Sequence, residues 1–138
     1  MSALSEGHAM LALMGLRLRL PVALALWPLD RVVAHAASGP RVRIDDAGLP
    51  ASFARVERWL SGVRVVPDTC LYRALSRWAV LRRSGRRVRF VMGVREDGAE
   101  LAGHAWVEEH GAALGEELDA AYVVTYAYPA SEAPASEA

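Results

Sequence analysis

Hydrophobic positions recur with a helical period between Cys70 and Ser84. Leu71, Leu75 and Trp78 fall at i, i+4 and i+7, and Ala74 and Leu81 widen the stripe. Asp68 or Thr69 is placed to cap the first turn, and Gly85 is placed to end the helix. Arg73, Arg77, Arg82 and Arg83 fall largely off the stripe and predict a solvated basic face, with a groove for an acidic peptide as the alternative. Beyond Gly85 the period changes to two. Val88–Val94 alternates as a strand, Glu96-Asp97-Gly98 signals a hairpin, and Leu101–Glu108 is the returning strand. His110-Gly111 marks a second turn, Ala112–Leu114 a short third strand, and Tyr122–Tyr128 a fourth that closes the sheet. The pattern predicts an α+β fold, one helix packed on an antiparallel meander.

The first half of the chain is patterned less regularly. Residues 9–29 are apolar enough to raise the question of a membrane span. Arg17 and Arg19 near the middle argue against one. The stretch reads instead as one or two buried or interfacial helices, broken near Pro21 and ended by Pro28. Residues 35–52 carry Gly39-Pro40, Gly48 and Pro50 and predict a long loop, with a short strand at Val42–Ile44. Ser52 is placed to cap a helix from Phe53 to about Leu60. The chain thus reads as a single domain: a helical and loop extension over 1–50, a core over 51–128, and a disordered tail over 129–138.

Composition narrows the function. Of 138 residues, 53% are apolar, which supports a real core. The net charge is zero, so no bulk positive charge points to nucleic acid. The balance hides an asymmetry: residues 1–95 hold all 16 basic residues against six acids, and residues 96–138 hold ten acids and no base. The two parts should attract on folding. Every basic residue is Arg, and the chain has no Lys, Asn or Gln. Any amide side chain a mechanism requires must therefore be replaced by backbone. One cysteine excludes an internal disulfide and a multi-cysteine zinc site, and it agrees with a cytoplasmic protein. No metal-ligand spacing or nucleotide-binding motif is present, so no cofactor is expected.

The lone cysteine carries the chemistry. Cys70 is expected at the first turn of the central helix, where unpaired N–H groups and partial positive charge stabilise an anion. A thiol there is poised as a nucleophile, and its own N–H points where an oxyanion would form. A nucleophile needs a base. His8 is placed before the N-terminal helix, His35 in the loop and His110 in a turn. His104 sits mid-strand in LAGHAWVEE, beside the helix, and is the candidate. The base needs an orienter. Glu108, Glu109, Glu116, Glu117 and Asp119 lie downstream. Glu108 is too far along the same strand. Glu116 is preferred because a hairpin returns it towards His104, with Asp119 in reserve.

The stretch from Asp68 to Glu116 resembles the transglutaminase-like protease of lasso-peptide biosynthesis. The motifs are Cys70-Leu71-Tyr72-Arg73-Ala74-Leu75, Gly93-Val94, His104-Ala105-Trp106-Val107-Glu108, Gly111 and Glu116. The resemblance implies a papain-like core whose helix bears Cys70 and whose sheet bears His104. It implies a Cys–His–acid triad that cleaves the leader from a ribosomal precursor peptide, with Glu116 standing where the family usually has Asp. It also implies a separate leader-recognition protein, because residues 1–65 do not resemble the recognition domain of fused forms, and an ATP-dependent cyclase acting downstream. The competing readings are acyl transfer to an amine and a non-catalytic partner-binding module.

Overall fold

The computed structural model describes residues 3–42, 54–55, 58–59, 70–116, 118 and 121–129. Helices α1 (Ala3–Leu26), α2 (Leu29–Ala37) and α3 (Cys70–Arg83) precede strands β1 (Val88–Asp97), β2 (Glu100–Glu109), β3 (Ala112–Ala113) and β4 (Val123–Tyr128). The helices pack on a four-stranded antiparallel sheet, giving the expected α+β class.

The central helix forms where its period places it. Leu75, Trp78 and Leu81 are fully buried, and the Trp78 indole N–H donates to the Val88 carbonyl at 3.1 Å, pinning α3 to the start of β1. Gly85, at φ +93°, ends the helix. Its N–H bonds the Arg82 carbonyl, and the Arg86 N–H bonds the Leu81 carbonyl, the double bond of a Schellman cap. Asp68 and Thr69, the expected caps at the other end, lie outside the described residues.

One expectation for α3 is overturned. No residue of α3 is exposed, so its arginines are half-buried rather than a solvated face. The reason is a second layer. α1 and α2 pack against the side of α3 that faces away from the sheet. One continuous core joins Leu13, Leu16 and Leu20 of α1, Val32 and Val33 of α2, α3, and Phe90 and Val107 of the sheet.

The N-terminal half also differs from its reading. α1 runs unbroken through Pro21. A mid-helix proline loses one hydrogen bond and crowds the preceding turn. Here Leu16 and Leu20 before it are buried, and Ala23 and Leu24 after it pack on the same core, so both flanking turns are held. Gly7–Leu26 is long and apolar enough to cross a membrane by length and composition alone. His8 lies inside α1 rather than before it, and His35 lies in α2 rather than in a loop. Val42 is buried, and its N–H bonds the Arg83 carbonyl at 3.2 Å. Residues 43–50, and with them most of the expected strand at 42–44, lie outside the described residues. Of the helix expected over 53–60, Ala54, Arg55, Arg58 and Trp59 are helical and the rest is outside. The tail from residue 130 is outside as well.

The sheet order is β3-β2-β1-β4, not a meander. β1 and β2 pair along ten residues in register from Val88↔Glu109 to Asp97↔Glu100, around a turn with Gly98 at φ +66°. His110 and Gly111, at φ 55° and 80°, make the second tight turn. β3 is only two residues long and offers β4 almost no edge. β4 therefore crosses back to the free edge of β1, from Phe90↔Tyr128 to Val94↔Val123.

The charge asymmetry is realised across β1 and β2. Arg86 forms a bidentate pair with Glu109, its Nε donating at 2.8 Å to Oε2, and Arg89 faces Glu108. The hydrogen bond from Arg86 holds the Glu109 carboxyl below the usual glutamate range, against a smaller desolvation effect. A lowered folded value means stability that is present above the unfolded value and lost as pH falls towards the folded one. Glu109→Gln should flatten this acid limb of a stability–pH curve, read by urea midpoints from pH 5 downwards. An unchanged limb would remove Glu109 as its source.

Candidate functional site

Cys70 opens α3 and is half-buried. His104 lies in the middle of β2, in register with Gly93 of β1. On the far side of β2, β3 pairs only with Glu108 and Glu109, so among the described residues β2 has no strand partner there beside His104. Cys70, Arg73, Ala74 and Arg77 of α3 and His104–Val107 of β2 line one cleft with Leu114 and Glu116, about 140 Å³ in volume.

Glu116 reaches this cleft through local geometry. The Leu114 N–H bonds the Val107 carbonyl at 2.7 Å, extending the β2–β3 ladder by one step. Gly115, at φ +78°, then turns the chain. Glu116 Oε2 stands 2.9 Å from His104 Nε2. An ionised carboxylate can only accept, so the proton of this bond belongs to Nε2. The structure thus brings Cys70, His104 and Glu116 to one cleft. Glu108 and Glu109 are engaged by Arg89 and Arg86 instead. Glu117 and Asp119, the reserve orienter, lie outside the described residues. His8, His35 and His110 are exposed and line no part of this cleft. Among the described residues no group of three His, Cys, Asp or Glu side chains converges on a metal-sized point.

Two features were not read from the sequence. The first is an aromatic cluster. The His104 ring stacks on Trp106 at 5.9 Å and 21°, and Tyr122 lies 5.7 Å from His104 at 33°. Trp106 and Tyr122 also touch each other, at 5.5 Å, so the three rings form a triangle of mutual contacts. The i, i+2 spacing of His104 and Trp106 on a strand was the available signal; nothing local announced Tyr122. The cluster needs Gly93. A Cβ there would lie 2.9 Å from the Trp106 ring, 3.0 Å from Tyr122 Cβ and 3.0 Å from the Val123 carbonyl. Two of these neighbours are backbone or Cβ atoms and cannot swing aside. Gly93→Val should cost about 1–3 kcal/mol by overpacking and displace the cluster. The Tyr122 and Trp106 ring resonances in NMR would report it. Wild-type stability with unshifted rings would show that the space is not needed.

The second feature is the basic wall. Arg73 and Arg77, one helical turn apart on α3, line the cleft beside Cys70. Sequence periodicity places them off the apolar stripe and leaves a solvated face and a groove as alternatives; what it does not give is that this cleft is the one holding Cys70 and His104.

The comparison of the sequence with known families decides the class: residues 9–127 match the transglutaminase-like superfamily. The chain belongs to the transglutaminase-like superfamily. Members of this superfamily are typically cysteine hydrolases or acyltransferases, and the α+β arrangement agrees with their core. The match includes α1 and α2 as well as the helix and sheet that carry the cleft. Comparison with curated proteins and with solved structures finds no match.

Proposed function

We propose that this transglutaminase-like domain is a cytoplasmic cysteine peptidase that removes the leader from a ribosomally made lasso-peptide precursor. One observation carries the reading: Cys70, His104 and Glu116 line one cleft, with His104 Nε2 held at 2.9 Å by Glu116. The Cys-Leu-x-Arg-x-Leu and His-Ala-Trp-Val-Glu motifs of the resembling family fall at Cys70–Leu75 and His104–Glu108. Glu116 takes the place usually held by Asp.

The chemistry follows from the tautomer. With Nε2–H donated to Glu116, Nδ1 takes the proton of the Cys70 thiol. The thiolate attacks the scissile carbonyl, and a tetrahedral oxyanion forms. The backbone N–H of Cys70, unpaired within α3 because it begins the helix, donates to that oxygen. The intermediate collapses as the leaving amine takes the proton from Nδ1. A thioester between Cys70 and the leader remains. Water attacks it, His104 accepts the water's proton, and the leader carboxylate leaves while the thiol is restored. The chain has no Gln or Asn side chain to offer the oxyanion, so backbone donors, the Cys70 N–H among them, take that role.

The partners follow the same reading: the precursor leader, a separate leader-recognition protein that presents it, and an ATP-dependent cyclase that consumes the freed core peptide. The test is mass spectrometry of the precursor incubated with this protein and the neighbouring leader-binding protein. Two fragments are expected. A product linked to an added amine, in place of the free leader acid, would make the protein an acyltransferase. An intact precursor in every case would favour a binding module.

Glu116→Ala should lower kcat by about 10²-fold while leaving KM within a factor of two, since the orienter acts on the base rather than on substrate. Glu116→Gln should retain more activity than the alanine variant, because its amide oxygen still accepts the Nε2 proton. A fully active Glu116→Ala protein would move the third role to another acid.

A further inference from the structure

A second cavity, of about 250 Å³, lies at the other end of α3. Arg83, which helps line it, is 13 residues from Cys70 along the helix, or about 20 Å. The lining is mixed: Leu11, Leu16 and Val42 are apolar, His8 is polar, and Arg19 and Arg83 bring cations. Among the described residues no carboxylate lines it.

Arg83 is held in place. Its Nε donates to the Ala36 carbonyl at 2.8 Å, which leaves the four Nη–H donors of the fork. Gly39 makes room for it: a Cβ there would lie 2.1–2.4 Å from the guanidinium atoms. Burial, and then the charge of Arg19, make the Arg83 cation harder to hold. Arg19 is exposed and Arg83 half-buried, and an anion between them relieves their repulsion. The recess is of side-chain size and flanked by an exposed apolar ridge, with Leu11 68% and Leu18 55% exposed.

The geometry points to a second binding site, between α1 and the end of α3, that takes the acidic side chain of a peptide segment flanked by aliphatic residues. The aliphatic ridge beside the two guanidinium groups favours a carboxylate carried on a peptide with aliphatic neighbours. The site is separate from the cleft and does not depend on the peptidase reading.

The test uses the full chain and two fluorescein-labelled peptides that carry Leu-Glu-Leu or Leu-Gln-Leu. Binding is read by fluorescence anisotropy at low salt. The Glu peptide should bind at least ~5-fold tighter than the Gln peptide, as a charge-assisted Arg–carboxylate bond requires. Arg19→Gln should bring the ratio close to one. So should Gly39→Ala, which pushes the Arg83 guanidinium aside. Circular dichroism confirms that both variants fold. Equal affinity for the two peptides, no binding of the Glu peptide up to about 1 mM, or an unchanged ratio in both variants would overturn the site. Arg19-dependent binding to phosphatidylglycerol vesicles with no peptide preference would overturn the peptide ligand.

Discussion

Cys70→Ala should abolish precursor cleavage, lowering turnover by at least ~10³-fold, and leave the fold intact. The magnitude follows from the role. Without the sulfur there is no acyl-enzyme, and His104 and Glu116 have no proton to move. The structural cost is small, because Cys70 is half-buried at the first position of α3, where the side chain packs at the edge of the core. Thermal midpoint and circular dichroism should therefore match wild type, while product formation vanishes. Cys70→Ser should also be inactive, since the hydroxyl is a far weaker nucleophile without a matched base. A Cys70→Ala protein that still cleaves would exclude a thioester path altogether.

The second large effect is on stability. Trp78→Ala should destabilise the domain by about 3–5 kcal/mol. Trp78 is fully buried at the centre of α3, where the helix meets both β1 and β4. Its ring lies 6.4 Å from Phe90 and 5.7 Å, edge-on, from Tyr128. Truncation removes those contacts and also leaves the Val88 carbonyl without its indole donor. Domains of this size are stable by about 5–15 kcal/mol, so the variant should be largely unfolded at 37 °C or close to it. Urea unfolding followed by circular dichroism measures it. A loss under about 1 kcal/mol would mean that the core does not centre on this ring.

A smaller link ties the N-terminal helices to the sheet. The Tyr126 hydroxyl donates to Asp30 Oδ1 at 2.6 Å, joining β4 to α2. Burial and the Asp30 carboxylate together push the Tyr126 phenol upwards, so this contribution fades only in strong alkali. The link gives a physical reason for the superfamily match to begin in α1: the helices before residue 40 share the core with the sheet.

What could be read from the sequence was local. The α3 stripe, the Gly85 stop, the Gly98 hairpin and the His110-Gly111 turn each depend on a few adjacent residues, and each is present. Glu116 reaches His104 by a hairpin and one glycine turn, also a local matter. The misreadings concern what lies across space. Pro21 is a helix breaker by itself, and only the packing of Leu16 and Leu20 on one side and Leu24 on the other holds α1 together. β4 is legible as a strand, but its partner is decided by which edge has length to offer, and β1 has ten residues where β3 has two. Arg73 and Arg77 are visibly off the apolar stripe, yet only the fold reveals that they are half-buried in the wall of the cleft. Tyr122 is remote from His104 in sequence and meets it only because β4 crosses back beside β1.

The central claim is that Cys70 carries the leader as a thioester. The most direct measurement is intact-mass spectrometry of this protein after rapid acid quench from a reaction with the precursor and the leader-binding protein. The account predicts a transient species heavier by the leader acyl group, with the adduct on the peptide containing Cys70. Cleaved precursor with no adduct on Cys70 at any time, together with an active Cys70→Ala protein, would contradict it.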